Sequence, residues 1–158
     1  MSRSVNWFVL AHVLAALWLS GGAFAGAFVR AQTRRATTLA EKVFGLRLGW
    51  RLLTVCSIPG SLVAGAIGLH LVTARGFGWK EGWVHASVGL WALATAAMLL
   101  ATAPRLKRTL AAAERSLQQG APTPELTALA AARWPGIVAD LGALAVVLLT
   151  VLMVLKPF

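Results

Sequence analysis

Four long apolar runs alternate with shorter polar segments along the chain. They cover approximately residues 5–29, 52–74, 83–103 and 136–155. Each run is long enough to cross a hydrocarbon core of about 30 Å as an α-helix. None of them alternates apolar and polar residues with the period of two that is typical of a membrane β-strand. The pattern therefore predicts an all-α integral membrane bundle of four helices, with residues 1–158 forming a single membrane domain.

The positive charges predict how this bundle is oriented. Of the 15 Lys and Arg residues, 11 lie in the two long loops, after the first and third spans. By the positive-inside rule, these loops face the cytoplasm and both termini face outside, in a multi-pass protein of the cell (inner) membrane. The tryptophans agree with this topology, because they fall at the outer interface (Trp7, Trp79, Trp83) and at the inner one (Trp50, Trp134).

The composition narrows the class of protein. Residues of the hydrophobic set make up 58% of the chain, and the formal net charge is +10. In a chain this apolar the cations lie beside a membrane, so the expected partner is the lipid bilayer and nucleic acid is not expected. The single cysteine, Cys56, excludes an intramolecular disulfide.

Glycine and proline predict local features at the ends and in the middle of the helices. The third helix is expected to continue into the cytoplasm as far as Gln119 and to end with a cap at Gly120. A short helix is expected over 124–133. Pro59 is expected to kink the second helix or to free a carbonyl near Val55. Each long loop is too short to bury a core of its own.

Small residues recur at helical spacing in three spans. They are Gly22 and Gly26 in the first, Gly60, Ala64 and Gly68 in the second, and Gly89, Ala92 and Ala96 in the third. Because lipid provides no hydrophobic drive for helix association, such faces predict close helix packing. They would serve equally for a homo-oligomer or for contact with other membrane subunits.

All three histidines fall in the outer half of the predicted bilayer. His12 lies roughly 10 Å below the start of the first helix, whereas His70 and His85 lie near the outer ends of the second and third. Ionisable residues inside a membrane are expensive and are candidates for function. His70 and His85 also fit an interfacial position among headgroups. His12 is deeper, and Ala16 and Ser20 on its face leave space beside the imidazole.

Haem b is the ligand that best fits these histidines. One or two axial imidazoles, small neighbouring residues and a bundle interior are its requirements. We therefore predict a haem b protein of electron transfer, or a haem-bearing accessory subunit, with His12 and His85 on the iron and His70 as competitor. A cofactor-free structural or assembly subunit is the first alternative. Copper held by two or three histidines is the second.

Other polar residues near the span ends have simpler predicted roles. Asp140 is expected to pair with Arg133 or with a cation of another helix. Lys156 fits a haem propionate or anionic lipid, and lipid is the favoured interpretation. Three arginines at inner helix ends are expected to extend to lipid phosphates: Arg30, Arg51 and Arg105.

Three elements of the sequence carry a family resemblance. The first helix reads AHVLAALWLSGGAFAGAFVR, the third opens GWVHASVGLW, and the chain ends VLKPF. They resemble an uncharacterised family of four-helix integral membrane proteins related to the HemJ-type protoporphyrinogen oxidases and to CopD-like copper-resistance domains. The HemJ-type resemblance implies haem b bound by a first-helix histidine, here His12.

The same resemblance has a departure that bears on activity. Where the HemJ-type pattern has Trp-x-His-x-Lys, this chain has Ser87 in the place of the lysine, and the Asn-Glu pair expected before the last helix is missing. We therefore expect no porphyrinogen oxidation. Ser87 is expected to pack near the haem and to donate to the Trp83 carbonyl. Trp83 and Ser20 are the other residues expected around the haem ligands.

Overall fold

The computed structural model describes residues 3–74 and 81–156, with side chains from residue 7 onward. Over these ranges every regular element is a helix, so the all-α prediction is confirmed. Four continuous helical stretches are long and apolar enough to cross a membrane: Trp7–Arg35, Leu39–Ala74, Gly82–Gln119 and Trp134–Leu155. The position predicted for Trp79 lies outside the described residues.

The second and third stretches are each interrupted by a π-helical segment. The elements, in chain order, are α1 (Arg3–Arg35), α2 (Leu39–Arg51), π1 (Leu52–Ser57), α3 (Ile58–Ala74), α4 (Gly82–Ala97), π2 (Met98–Thr102), α5 (Ala103–Gln119), α6 (Pro124–Ala131) and α7 (Trp134–Leu155).

Four of these helices form the membrane bundle. α1 packs against α3 and α7, and α4 packs against the same two helices, so α1 and α4 occupy opposite corners. Phe8 of α1 contacts His70 near the end of α3. Lys156, after α7, lies over Trp83 at the start of α4. These contacts belong to one end of the bundle, called here the terminal end. The other end, with α2, α5 and α6, is the loop end.

Each π-helical segment stands directly before a proline. The Ile58 amide donates to the Leu53 carbonyl, five residues back, and Pro59 follows. The Ala103 amide donates to the Met98 carbonyl, and Pro104 follows. Because proline has no N–H for the carbonyl four residues earlier, the preceding turn widens. The disturbance predicted at Pro59 is therefore a π-helical segment. The second segment was not predicted, although its proline carries the same signal.

The two long loops together build a small core at the loop end. Val43 of α2, Ala112 and Ala113 of α5, and Leu126 of α6 are buried against one another. Each loop was correctly predicted to be too short for a core of its own, but α2 and α5 extend beyond the apolar runs and share one. The loop end is thus a packed layer of helices.

Polar caps fix where these helices begin and end. Thr38 and Glu41 form a capping box at the start of α2, in which each side chain accepts from the other residue's backbone N–H. α5 ends at Gln119 with Gly120 in the left-handed conformation (φ 70°), as predicted. Thr123 caps α6, which ends at Ala131, two residues earlier than predicted.

Backbone contact between α1 and the second span confirms the packing predicted from their small residues. A Cβ added at Gly60 would lie 2.7 Å from the backbone nitrogen of Leu19. One added at Gly22 would lie 2.9 Å from the backbone nitrogen of Ser57. A side chain at either glycine would collide with the facing helix, so glycine is required for this close approach.

The small-residue stripe of α4 behaves differently. Gly89, Ala92 and Ala96 are exposed, so the prediction that they pack against another helix of this chain is wrong. The face that α4 buries carries Ser87 and Thr95. The packed face of α4 thus carries hydroxyl groups, and the stripe of small residues lies on its exposed face. Both sets of residues have helical spacing, so spacing alone could not show which face packs.

Candidate functional site

His12 lies in the contact between α1 and α3. Its Nδ1 is 2.9 Å from the carbonyl oxygen of Ala64, and its side chain is half-buried. A Cβ added at Gly68, one turn along α3, would lie 3.1 Å from the His12 Cε1. The small residues of α3 thus make room for the imidazole as well as for the backbone of α1.

This contact selects one tautomer of the neutral ring. A carbonyl oxygen can only accept, so the neutral imidazole carries its proton on Nδ1 and leaves a lone pair on Nε2. Histidines that ligate a metal are commonly oriented by such a bond from the other ring nitrogen. Ser20, predicted beside this ring, donates instead to the Ala16 carbonyl of its own helix at 2.7 Å.

His70 lies at the same pair of helices, nearer the terminal end. Its ring centroid is 4.5 Å from that of Phe8, which precedes His12 by one turn on α1. The His70 side chain is exposed. Its position beside an exposed aromatic ring fits the interfacial interpretation given above.

His85 lies at another corner of the bundle, in the first turn of α4. It is exposed, and its Nδ1 is 3.3 Å from the Glu81 carbonyl oxygen. The neighbouring Trp83 is buried among protein residues. It lies at the terminal end of the bundle, beside Lys156. The Trp83 indole donates to the Glu81 carboxylate, and the Lys156 ammonium lies 5.5 Å from the Trp83 ring centroid.

Ser87 is 6% exposed, and its hydroxyl has no hydrogen-bond partner within the described ranges. The predicted bond to the Trp83 carbonyl is therefore wrong.

The structure brings His12 and His70 to one helix pair and places His85 on α4. Across residues 3–74 and 81–156, no group of three or more His, Cys, Asp or Glu side chains could hold a metal ion. The assignment of these histidines as ligands stays a prediction.

A cavity that the sequence did not predict lies toward the loop end of the bundle. It has a volume of about 360 Å³, and its wall is formed by residues from every helix. Small and apolar residues line its membrane part, among them Gly26, Trp91 and Gly142. No histidine belongs to the wall. Gly26 was a signal, but it was interpreted as a packing contact.

Four cations line the same cavity: Arg30, Arg34, Lys42 and Arg105. Two of them had been expected to extend to lipid phosphates. Asp140, predicted to form an ion pair, receives a bond from Arg30 at 2.6 Å; its partner is thus the cation of another helix and not Arg133. Arg105 donates to the Leu129 carbonyl at 3.2 Å.

Comparison with known proteins gives one match. Residues 7–157 match a family described as predicted integral membrane protein (DUF2269). No curated protein and no solved structure matches the chain. The prediction of a multi-pass integral membrane protein is confirmed, whereas the relation to HemJ-type and CopD-like proteins stays a prediction. Since the match covers nearly the whole chain, the protein belongs to the DUF2269 family of predicted integral membrane proteins.

Proposed function

We propose that this membrane protein binds haem b through His12 and acts in electron transfer or as a haem-bearing accessory subunit. The observation that carries the proposal is the 2.9 Å contact between the His12 Nδ1 and the Ala64 carbonyl. It holds a half-buried imidazole in one orientation, with Nε2 as its coordinating nitrogen. Both are properties of an axial ligand.

His12 is the residue that would hold the haem. α1 and α3 meet backbone to backbone at Gly60, so the macrocycle does not lie between these two helices. Packed helices stand about 8–10 Å apart, so opposite corners of a bundle are about 11–14 Å apart, which leaves more room for a flat ring. This favours His85 of α4 over His70 of α3 as the second ligand.

The chain's own residues have limited tasks in this proposal. The haem, when bound, supplies one-electron redox chemistry. His12 would hold it, and the Ala64 carbonyl would keep the imidazole from rotating. Trp83 and Lys156 close the terminal end beside His85 through the cation–π contact. Ser87 offers a hydroxyl and no amine, so we propose no porphyrinogen oxidation.

A cofactor-free structural or assembly subunit is the second candidate, and the same histidine supports it. A hydrogen bond from His12 to a neighbouring helix is also a way of joining two membrane helices. The exposed stripe of Gly89, Ala92 and Ala96 would then meet another subunit. Copper held by His12 with His70 or His85 is the third candidate.

Two measurements on the protein purified in detergent distinguish the three candidate functions: a visible absorption spectrum and a metal analysis of the same sample. Haem b gives a Soret band and, after reduction with dithionite, an α band. If the sample contains copper and shows neither band, the result supports copper handling. If the protein is expressed in cells supplied with haem precursor and shows neither bands nor copper, the haem proposal is wrong.

A further inference from the structure

The cavity toward the loop end has a wall that combines apolar residues with four cations. Its volume of about 360 Å³ lies at the lower end of the range for small-molecule sites, about 300–1,000 Å³. Gly142 on its wall faces open space, because a Cβ added there meets no atom within 4 Å. The space is therefore a gap between helices rather than a tightly packed contact.

The charges around this gap are unbalanced. Its wall, as far as the chain is described, contains four cations and no carboxylate. Asp140 offsets one of them by pairing with Arg30. Arg34 and Lys42 form no salt bridge with any described residue. The Arg34 guanidinium lies against Gly136, where a Cβ would clash with it.

One donor in this region is buried without an acceptor. The Nε–H of Arg30 has no hydrogen-bond partner among the described residues. Buried donors are almost always paired, so an unpaired one beside a cavity leaves a hydrogen-bonding position for an acceptor that enters the cavity. Guanidinium groups favour oxyanions such as phosphate, which accept from several N–H groups at once.

The two π-helical segments contribute to the same wall. Leu53 and Ser57 of π1, and Met98 and Thr102 of π2, all line the cavity. Such segments are frequent at functional sites because they shift a helix face without ending the helix. Here both widen helices that border one gap.

We propose that this cavity binds a lipid phosphate with a single hydrocarbon chain. The chain would occupy the apolar part near Trp91 and Gly142, and the phosphate would contact Arg34, Lys42 and the Arg30 Nε–H. The modest volume favours one chain over two. The apolar wall favours a lipid over free phosphate, and the excess of three cations favours an anionic head over a zwitterionic one.

Equilibrium binding of radiolabelled hexadecyl phosphate to the purified full-length protein in detergent tests the proposal. We expect saturable binding of one molecule per chain. Unlabelled hexadecyl phosphate should displace it, whereas hexadecyl phosphocholine and inorganic phosphate should compete at least about tenfold less well. Displacement by inorganic phosphate alone would overturn the assignment to a lipid, and equal displacement by hexadecanoate would overturn the assignment to phosphate.

Paired variants locate the site. Gly142→Leu fills the cavity, and Gly89→Leu adds the same side chain at an exposed glycine that also has no atom within 4 Å. Arg34→Gln removes a cation of the wall, and Arg108→Gln removes an exposed cation that is not part of it. We expect roughly tenfold weaker binding for the first member of each pair and unchanged binding for the second.

A third pair of variants tests the role of Arg30, whose charge is partly neutralised by Asp140. Asp140→Asn should tighten binding severalfold because it releases Arg30 toward the ligand. Glu114→Gln releases Arg47, which lies outside the cavity, and should have no effect. Equal effects within any of the three pairs would show general charge or surface attraction and would overturn the proposal. If Gly142→Leu fails to fold, the comparison of Arg34→Gln with Arg108→Gln still tests the proposal.

Discussion

The imidazole of His12 and the carbonyl of Ala64 meet across the contact between α1 and α3, with 2.9 Å between nitrogen and oxygen. The contact exists because small residues bring the two helices together. An alanine backbone offers its oxygen, and Gly68 on the next turn leaves room for the ring. Packing and candidate chemistry therefore depend on the same face of α3.

The first prediction concerns that face. Gly60→Ala places a Cβ 2.7 Å from the Leu19 backbone, so α1 and α3 must separate. We expect a loss of about 1–3 kcal/mol in the free energy of unfolding, measured by circular dichroism in mixed micelles. Gly89→Ala is the matched control, because its Cβ meets nothing within 4 Å. An equal loss in both variants would contradict the backbone contact.

The second prediction compares two buried serines. The Ser61 and Thr95 hydroxyls lie 2.7 Å apart between α3 and α4, whereas the Ser87 hydroxyl is unpaired among the described residues. Ser61→Ala should therefore destabilise the protein by about 1 kcal/mol, because it leaves Thr95 without this partner. Ser87→Ala should be neutral or slightly stabilising. The same unfolding measurement checks both, and a larger loss at Ser87 would indicate a partner for its hydroxyl.

The third prediction concerns the orientation in the membrane. In a Cys56→Ala background, a cysteine introduced at Ser2 should react with an impermeant maleimide in intact cells, and one at Gln118 should react only after lysis. The reason is the concentration of cations in the two loops. If the cysteine at position 118 is labelled in intact cells and the one at position 2 is not, the topology is the opposite of the predicted one.

The fourth prediction concerns activity. The chain should not rescue a strain that lacks its porphyrinogen oxidase. Proton removal from the macrocycle needs a basic group beside it, and Ser87 has no amine. Ser87→Lys is the comparison, and rescue by this variant alone would support the assigned role of the position. Strong rescue by the unmodified chain would contradict the account.

The spans could be predicted because each depends on residues that are adjacent in the sequence. Apolar runs, the cap at Gly120 and the effect of Pro59 are local, and all left a local signal. The core at the loop end depends on Val43 meeting Ala112, which are distant in the sequence. No pattern within either loop indicates this contact.

The candidate site also has a part that could be predicted from the sequence and a part that could not. His12 could be singled out by its depth, but its partner Ala64 could not, because any backbone carbonyl is able to accept. The cavity was missed since each of its cations, taken alone, fits an interfacial arginine or lysine. The packing of α1 against α7 places Arg30 and Arg34 on the wall of the same cavity as Gly142, and no single segment of the sequence shows this.

The most direct test of haem ligation by His12 is the haem content per chain of purified His12→Ala, measured as the pyridine haemochrome. His70→Ala and His85→Ala, prepared in the same way, are the comparison. We expect the wild-type protein to carry haem, His12→Ala to lose most of it while it stays folded, and His70→Ala to keep it. Unchanged haem content in His12→Ala would contradict the central claim.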